Sequence, residues 1–185
     1  LNVCQGDRVT SEALIKHPLI SAVSFVGSSP AAHNVYQLAA EHGKRCQALG
    51  GAKNHAIVMP DADMEHSINA LLGGAYGSAG ERCMALPTVV LVGDQADEWV
   101  CKFAERVEEI QIGPGDQEES EMGPLVTAAH RAHVISCIEK GEEEGADLVI
   151  DGREHDFSEN ENGFFLAPSL FDNVTPDMYI QQHEI

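Results

Sequence analysis

The segment Gly80-Glu81-Arg82-Cys83-Met84-Ala85-Leu86 sets one thiol beside one guanidinium, ahead of the apolar run Thr88-Val89-Val90-Leu91-Val92. A thiolate attacks a carbonyl carbon well when a neighbouring cation or a helix N-terminus lowers its pKa. Cys83 is therefore a candidate nucleophile, with Arg82 as a source of positive charge. A small buried cysteine with an arginine beside it by chance is the plainer alternative.

The elements that would position this thiol follow from apolar spacing and turn residues. Ile20 to Val26 is a β-rich run closed by Gly27, and Pro30 opens a segment with Ala31, Val35, Leu38 and Ala39 at helical spacing. Ser28 or Ser29 can cap that helix, so the amides of its first turn face the preceding loop and suit a phosphate. An ordinary capped turn is the other reading, because no Gly-x-Gly-x-x-Gly is present. Arg45 to Leu49 and His55 to Met59 read as two further strands, separated by Gly50-Gly51, which admits a flat ligand or serves as a hinge. Asp63 to Ser78 is a predicted helix leading into Cys83, followed by a strand over Thr88 to Val92. Asp97 to Ile110 is amphipathic, with Trp99, Val100, Phe103 and Val107 inward. Thr127 to Glu143 is a last helix, before strands at Asp147 to Ile150 and Phe164 to Leu166 and a polar loop over Ser158 to Gly163. This alternation predicts a mostly parallel α/β sheet.

Composition narrows the function. Thirty acidic residues against eleven basic ones give a formal net charge of −19, which repels phosphate backbones and anionic lipid surfaces. Neither nucleic-acid nor membrane binding is expected. A surface of this kind is a solvated acidic face, or one suited to a high-salt cytoplasm where screening relieves self-repulsion. No apolar run reaches the ~20 residues needed to span a bilayer, and no signal-peptide pattern opens the chain, so a cytoplasmic location is expected. The five cysteines are odd in number, widely spaced and without Cys-x-x-Cys, which argues against a disulfide framework or zinc ribbon. His130 and His133 share a helix face without a third ligand, so no metal is assigned. The chain opens at Leu1 without methionine and stops at Ile185 without a polar tail, which predicts an internal piece of something longer.

In order along the chain, Phe25-Val26-Gly27-Ser28, Leu49 to His55, Gly80 to Cys83, Met122-Gly123-Pro124 and Glu184-Ile185 resemble the aldehyde dehydrogenase superfamily. Gly51-Ala52-Lys53-Asn54-His55 with Gly80-Glu81-Arg82-Cys83-Met84-Ala85 is similar to its CoA-acylating (methyl)malonate-semialdehyde dehydrogenases. The resemblance implies an aldehyde dehydrogenase-like α/β fold. Residues 1–49 would end a nucleotide-binding domain and residues 50–185 would begin the catalytic thiol domain, with the site between them. It implies that Cys83 attacks the aldehyde, that hydride passes to NAD, and that the Cys83 amide helps hold the oxyanion. Gly27 and Ser28 would lie at the cofactor phosphates, Gly50 at the nicotinamide and Glu184 at its ribose. Arg82 would bind the substrate carboxylate as a bidentate fork, the alternative being a surface salt bridge to Glu81 or another acid. A homotetramer is implied for the full-length protein. One departure is Ala32, where the superfamily often has a second glycine.

A second departure bears on the reaction. Thirty-four residues before Cys83, where hydrolytic members carry the glutamate that activates water, this chain has Leu49, or Ala48 in another alignment. Neither accepts a proton. A thioester on Cys83 would then wait for coenzyme A, and loss of the β-carboxylate as carbon dioxide would yield acetyl-CoA or propionyl-CoA. A hydrolytic dehydrogenase with another base, and an inactive truncated fragment or assembly module, are the competing readings. The isolated 185 residues are expected to be inactive and to expose apolar edges.

Overall fold

Helix α1 (Arg8–Lys16) begins where the Asp7 carboxylate accepts the Val9 amide at 2.9 Å, an N-cap that the apolar spacing does not announce. The computed structural model describes residues 1–160 and 162–185. Part of the polar loop expected over Ser158 to Gly163 falls on Glu161, outside the described residues. The chain folds as two compact units, Leu1–Ala52 and Lys53–Ile185.

In the first unit, β1 (Ala22–Val26) and β2 (Arg45–Leu49) pair in parallel, from Ala22 opposite Arg45 to Val26 opposite Leu49. Helix α2 (Ser29–Glu41) supplies the long crossover that a parallel pair requires. Strand periodicity sorts the two faces: Val23, Phe25, Cys46 and Ala48 pack around Ile15, Val35 and Ala39. Val26 and Leu49 point the other way and are 62% and 50% exposed.

The second unit starts with β3 (His55–Val58), α3 (Met64–Tyr76) and β4 (Thr88–Leu91), another parallel pair in which His55 lies opposite Thr88. Ala56, Val58, Val89 and Leu91 pack against Ile68 and Leu71 of α3 and Trp99, Phe103 and Val107 of α4 (Ala96–Glu108). Trp99 stacks on Phe103 at 4.7 Å and donates its indole N–H to the Ser67 hydroxyl at 3.1 Å, which satisfies the polar end of a buried ring. Helix α5 (Ala128–Glu143) is capped by the Thr127 hydroxyl, followed by β5 (Asp147–Ile150), β6 (Leu170–Asp172) and the short α6 (Tyr179–Gln182).

Two expectations need correction. The strands form three two-stranded sheets among the described residues instead of one; two of these pairs are parallel, as the alternation implies, and the third, β5 with β6, is antiparallel. Phe164 to Leu166 is not a strand; Phe165 and Leu166 are buried, and the Phe164 and Phe165 carbonyls accept from the Leu125 amide and the Arg131 side chain. The apolar run there reports burial, while the strand forms four residues later.

Candidate active site

Helix α3 stops short of the cysteine because its last turn is glycine-rich, and the chain then turns left-handed. Ser78, Ala79 and Gly80 all have positive φ, at 54°, 54° and 72°. For the two non-glycine residues this conformation costs about 1–2 kcal/mol each, so the approach to Cys83 is a strained one that surrounding bonds must hold. Those bonds are visible. The Ala85 amide donates to the Arg82 carbonyl at 2.9 Å and closes a turn over Cys83; the Leu86 amide donates to the Gly74 carbonyl at 3.0 Å. Asn54 donates through Nδ2 to the carbonyls of both Cys83 and Ala85, each at 2.9 Å.

Cys83 itself is exposed with a free thiol. Its backbone amide donates to no other group among the described residues. A thiol and an available amide on one residue are what a nucleophile needs if the same residue is to receive the oxyanion it creates.

Arg82 folds back along α3. Its Nη2 donates to the Gly73 carbonyl, with Gly74 at 3.5 Å, so it interacts with the open carbonyl end of the helix, where the dipole favours a cation. Gly77 leaves the space this requires, since a Cβ there would lie 2.7 Å from Nη2. Nε and Nη1 take no partner among the described residues, so the outer part of the guanidinium is open. Glu81 does not pair with Arg82; it faces His130 of α5, with Oε1 3.3 Å from Nε2. His130 and His133 lie with ring centroids 6.2 Å apart, and among the described residues no group of three or more His, Cys, Asp or Glu gathers as a metal site.

A cavity of about 590 Å³ opens within the second unit, with Gly80, Glu81, Thr88, His130 and Leu170 on its walls. Ala79, Gly80 and Glu81 line it, whereas Arg82 and Cys83 do not, and Cys83 is exposed.

Sequence reasoning overlooked the side chains of Lys53, Asn54 and His55. Lys53 donates to the His183 carbonyl at 2.8 Å, which ties down the backbone next to Glu184. Burial pushes the Lys53 ammonium below its ordinary value of 10.5, opposed by the neighbouring Cys137 and Glu184. The His55 ring meets Gln181 at 2.8 Å, and Gln181 also accepts from the Thr88 hydroxyl at 3.3 Å. Three consecutive residues thus hold the Cys83 turn, the Glu184 segment and α6. The motif at 51–55 that carries the resemblance was the available signal, but it did not reveal what its side chains touch.

The cofactor-segment residues lie in the first unit, except Glu184. Gly27 donates its amide to the Leu49 carbonyl at 3.1 Å, extending the β1–β2 pairing by one residue. Ser28 is the N-cap residue of α2 but makes no side-chain capping bond. Neither serine caps the helix: the Ser29 hydroxyl instead accepts the Gly51 amide at 3.1 Å. Gly50 lies against Ser29, where a Cβ would sit 2.8 Å from the hydroxyl oxygen. Helix α2 therefore presents an N-terminus without a side-chain cap, and the Ser28 hydroxyl takes no partner among the described residues, an arrangement that fits a dinucleotide phosphate. The Ala32 methyl is buried within the first turn of α2. Glu184 follows α6 and is exposed.

The aldehyde dehydrogenase family model matches residues 1–185. Malonate-semialdehyde dehydrogenase of Pseudomonas aeruginosa is 50% identical over 186 residues, covering 100% of this chain and 37% of that protein. The acylating mitochondrial methylmalonate-semialdehyde/malonate-semialdehyde dehydrogenase of Bos taurus is 42% identical, covering 100% of this chain and 34% of that protein. The crystal structure of methylmalonate-semialdehyde dehydrogenase from Oceanimonas doudoroffii superposes with a TM-score of 0.92 at 49% identity, over 97% of this chain and 37% of that one. Betaine aldehyde dehydrogenase from Staphylococcus aureus, in complex with NAD+, gives a TM-score of 0.88 at 28% identity, over 94% and 34% of the two chains. The chain spans little more than a third of the length of these relatives.

Proposed function

Since the chain belongs to the aldehyde dehydrogenase family and has its α/β fold, we propose that it carries the thiol and part of the cofactor cradle of an NAD-dependent, CoA-acylating (methyl)malonate-semialdehyde dehydrogenase. The observation that carries this reading is the Cys83 turn, which presents a free thiol and an unengaged amide on one residue. In this reading residues 1–49 end the nucleotide-binding domain, residues 50–185 begin the catalytic domain, and the full-length protein is a homotetramer.

The Cys83 sulfur bonds to the aldehyde carbon and the carbonyl oxygen becomes an oxyanion, which the Cys83 amide stabilises. NAD, when bound, supplies the acceptor for the hydride that leaves this carbon. Gly27, the Ser28 hydroxyl and the α2 N-terminus hold its phosphates, Gly50 allows close approach to the nicotinamide, and Glu184 holds the ribose. Loss of hydride and reformation of the carbonyl leave a thioester on Cys83. The thiol of coenzyme A attacks this thioester, and Cys83 departs as the thiolate. The β-carboxylate leaves as carbon dioxide, its C–C electron pair passing into a thioester enolate that takes up a proton equivalent to the one the CoA thiol releases, so malonate semialdehyde, NAD+ and CoA yield acetyl-CoA, carbon dioxide and NADH. Leu49 supplies no base, so water competes poorly for the thioester.

Product analysis tests this in the full-length protein. With NAD and malonate semialdehyde, sustained NADH formation and acetyl-CoA are expected only when CoA is present, with about one equivalent of NADH per Cys83 in its absence. Equal steady turnover without CoA overturns the acylating assignment in favour of the hydrolytic one.

Arg82 receives the substrate carboxylate in this reading, through the open part of its guanidinium, while Nη2 remains on the helix end. Arg82→Lys keeps the charge but loses the planar fork. It is expected to lower kcat/KM for malonate semialdehyde by about 10–100-fold and for propanal, which has no carboxylate, by less than about threefold. An equal loss for both aldehydes would leave Arg82 with only its contact to α3.

A further inference from the structure

Each of the two peptide planes flanking Cys83 is fixed by one hydrogen bond. The plane before it is held because the Arg82 carbonyl accepts from Ala85, and the plane after it because the Cys83 carbonyl accepts from the Asn54 side chain. Together these bonds set φ and ψ of Cys83, and so the direction of both its Cβ and its amide. The second Asn54 proton goes to the carbonyl of Ala85, a residue only 5% exposed, where lost water is not easily regained.

The structure assigns to Asn54 the role of positioning residue for the Cys83 nucleophile: one side-chain amide spends both its protons on the backbone of the turn and holds thiol and oxyanion donor in register. This rests on the reading of Cys83 as the nucleophile. The need for such a clamp follows from the left-handed run at Ser78, Ala79 and Gly80, which leads into the turn under strain. Asn54 can reach it because the β3–β4 register, with His55 opposite Thr88, brings the residue before β3 beside the turn before β4. Asn54 touches no reacting atom, and its effect is on the geometry from which attack begins.

The test measures the NADH burst in the full-length protein with NAD and malonate semialdehyde. Asn54→Ala removes both donors and is expected to slow the burst about 10–100-fold, while KM for NAD changes by less than about twofold. Asn54→Asp has nearly the same shape but turns the donors into a carboxylate facing two carbonyl oxygens, and is expected to slow it at least as much. It remains informative if the alanine variant does not fold. Gln181→Ala removes the neighbouring bond that the Gln181 amide donates to His55 and loosens the same segment without touching the Cys83 turn, so its burst is expected to stay within about twofold. Wild-type burst rates in a folded Asn54 variant overturn the assignment. So does an equal loss in Gln181→Ala, or a rise in KM for NAD that accounts for the whole effect. A Cys83→Ser protein that retains its burst would instead overturn the nucleophile reading itself, so the two failures are distinguishable.

Discussion

Replacing Cys83 with serine is expected to lower NADH formation from malonate semialdehyde by about 10⁴–10⁶-fold in the full-length protein while leaving the fold in place. A serine hydroxyl is a far weaker nucleophile than a cysteine thiol, and no base adjoins it on this turn to compensate. The fold should survive because the Cys83 side chain is exposed and the turn is held through backbone atoms that serine keeps: its carbonyl to Asn54 and the Arg82–Ala85 bond. A stability change within about 0.5 kcal/mol is expected by chemical denaturation. The point substitution is more informative than alkylation, because Cys4 and Cys101 are exposed as well and would also react. A serine variant that oxidises the aldehyde within tenfold of the wild-type rate would refute the thiol mechanism.

The second large effect is a gain. Leu49→Glu is expected to raise CoA-independent steady-state NADH formation by about 10²-fold, with free acid replacing part of the acyl-CoA product. A glutamate there would be ionised at neutral pH and able to take a proton from water, the function that leucine cannot supply. The substitution is tolerable because Leu49 is at the end of β2 on the sheet face away from α2, half exposed, with its carbonyl still free to accept from Gly27. Ala48 is a poorer site for the same charge, since it packs toward Ile15, Val35 and Ala39, where an unpaired carboxylate would be costly to bury. Ala48→Glu is therefore expected to lower stability by several kcal/mol without raising hydrolysis. If Leu49→Glu folds, binds NAD and still turns over only with CoA, the missing base is not what protects the thioester.

Those two neighbours mark where sequence reasoning stops. Which alignment sets the hydrolytic position was open from the residues alone, but strand periodicity in the folded sheet gives Ala48 and Leu49 opposite faces and very different tolerance of charge. The same holds for elements. Helices α2 to α5 and strands β1 to β5 were legible because each buries one face, and burial with a period of two or 3.6 leaves a pattern in the chain. Helix α1 was missed because its exposed, mostly polar turns depend on the Asp7 cap, and β6 because only three residues form it. Phe164 to Leu166 looked like a strand because packing alone can make a run apolar.

The proposed nucleophile and its arginine neighbour were legible in local sequence, since the seven residues from Gly80 to Leu86 contain both groups and the motif that points to their chemistry. What holds that thiol was decided only by tertiary structure. Asn54 lies 29 residues before Cys83, Lys53 donates to a carbonyl 130 residues away, and Arg82 turns back to a helix end rather than to Glu81. Side-chain bonds across such separations repeat with no period and leave no trace in composition. The Asn54 bond exists because parallel pairing of β3 with β4 brings two distant loop ends together, and register is a property of the folded sheet, fixed by which faces are buried.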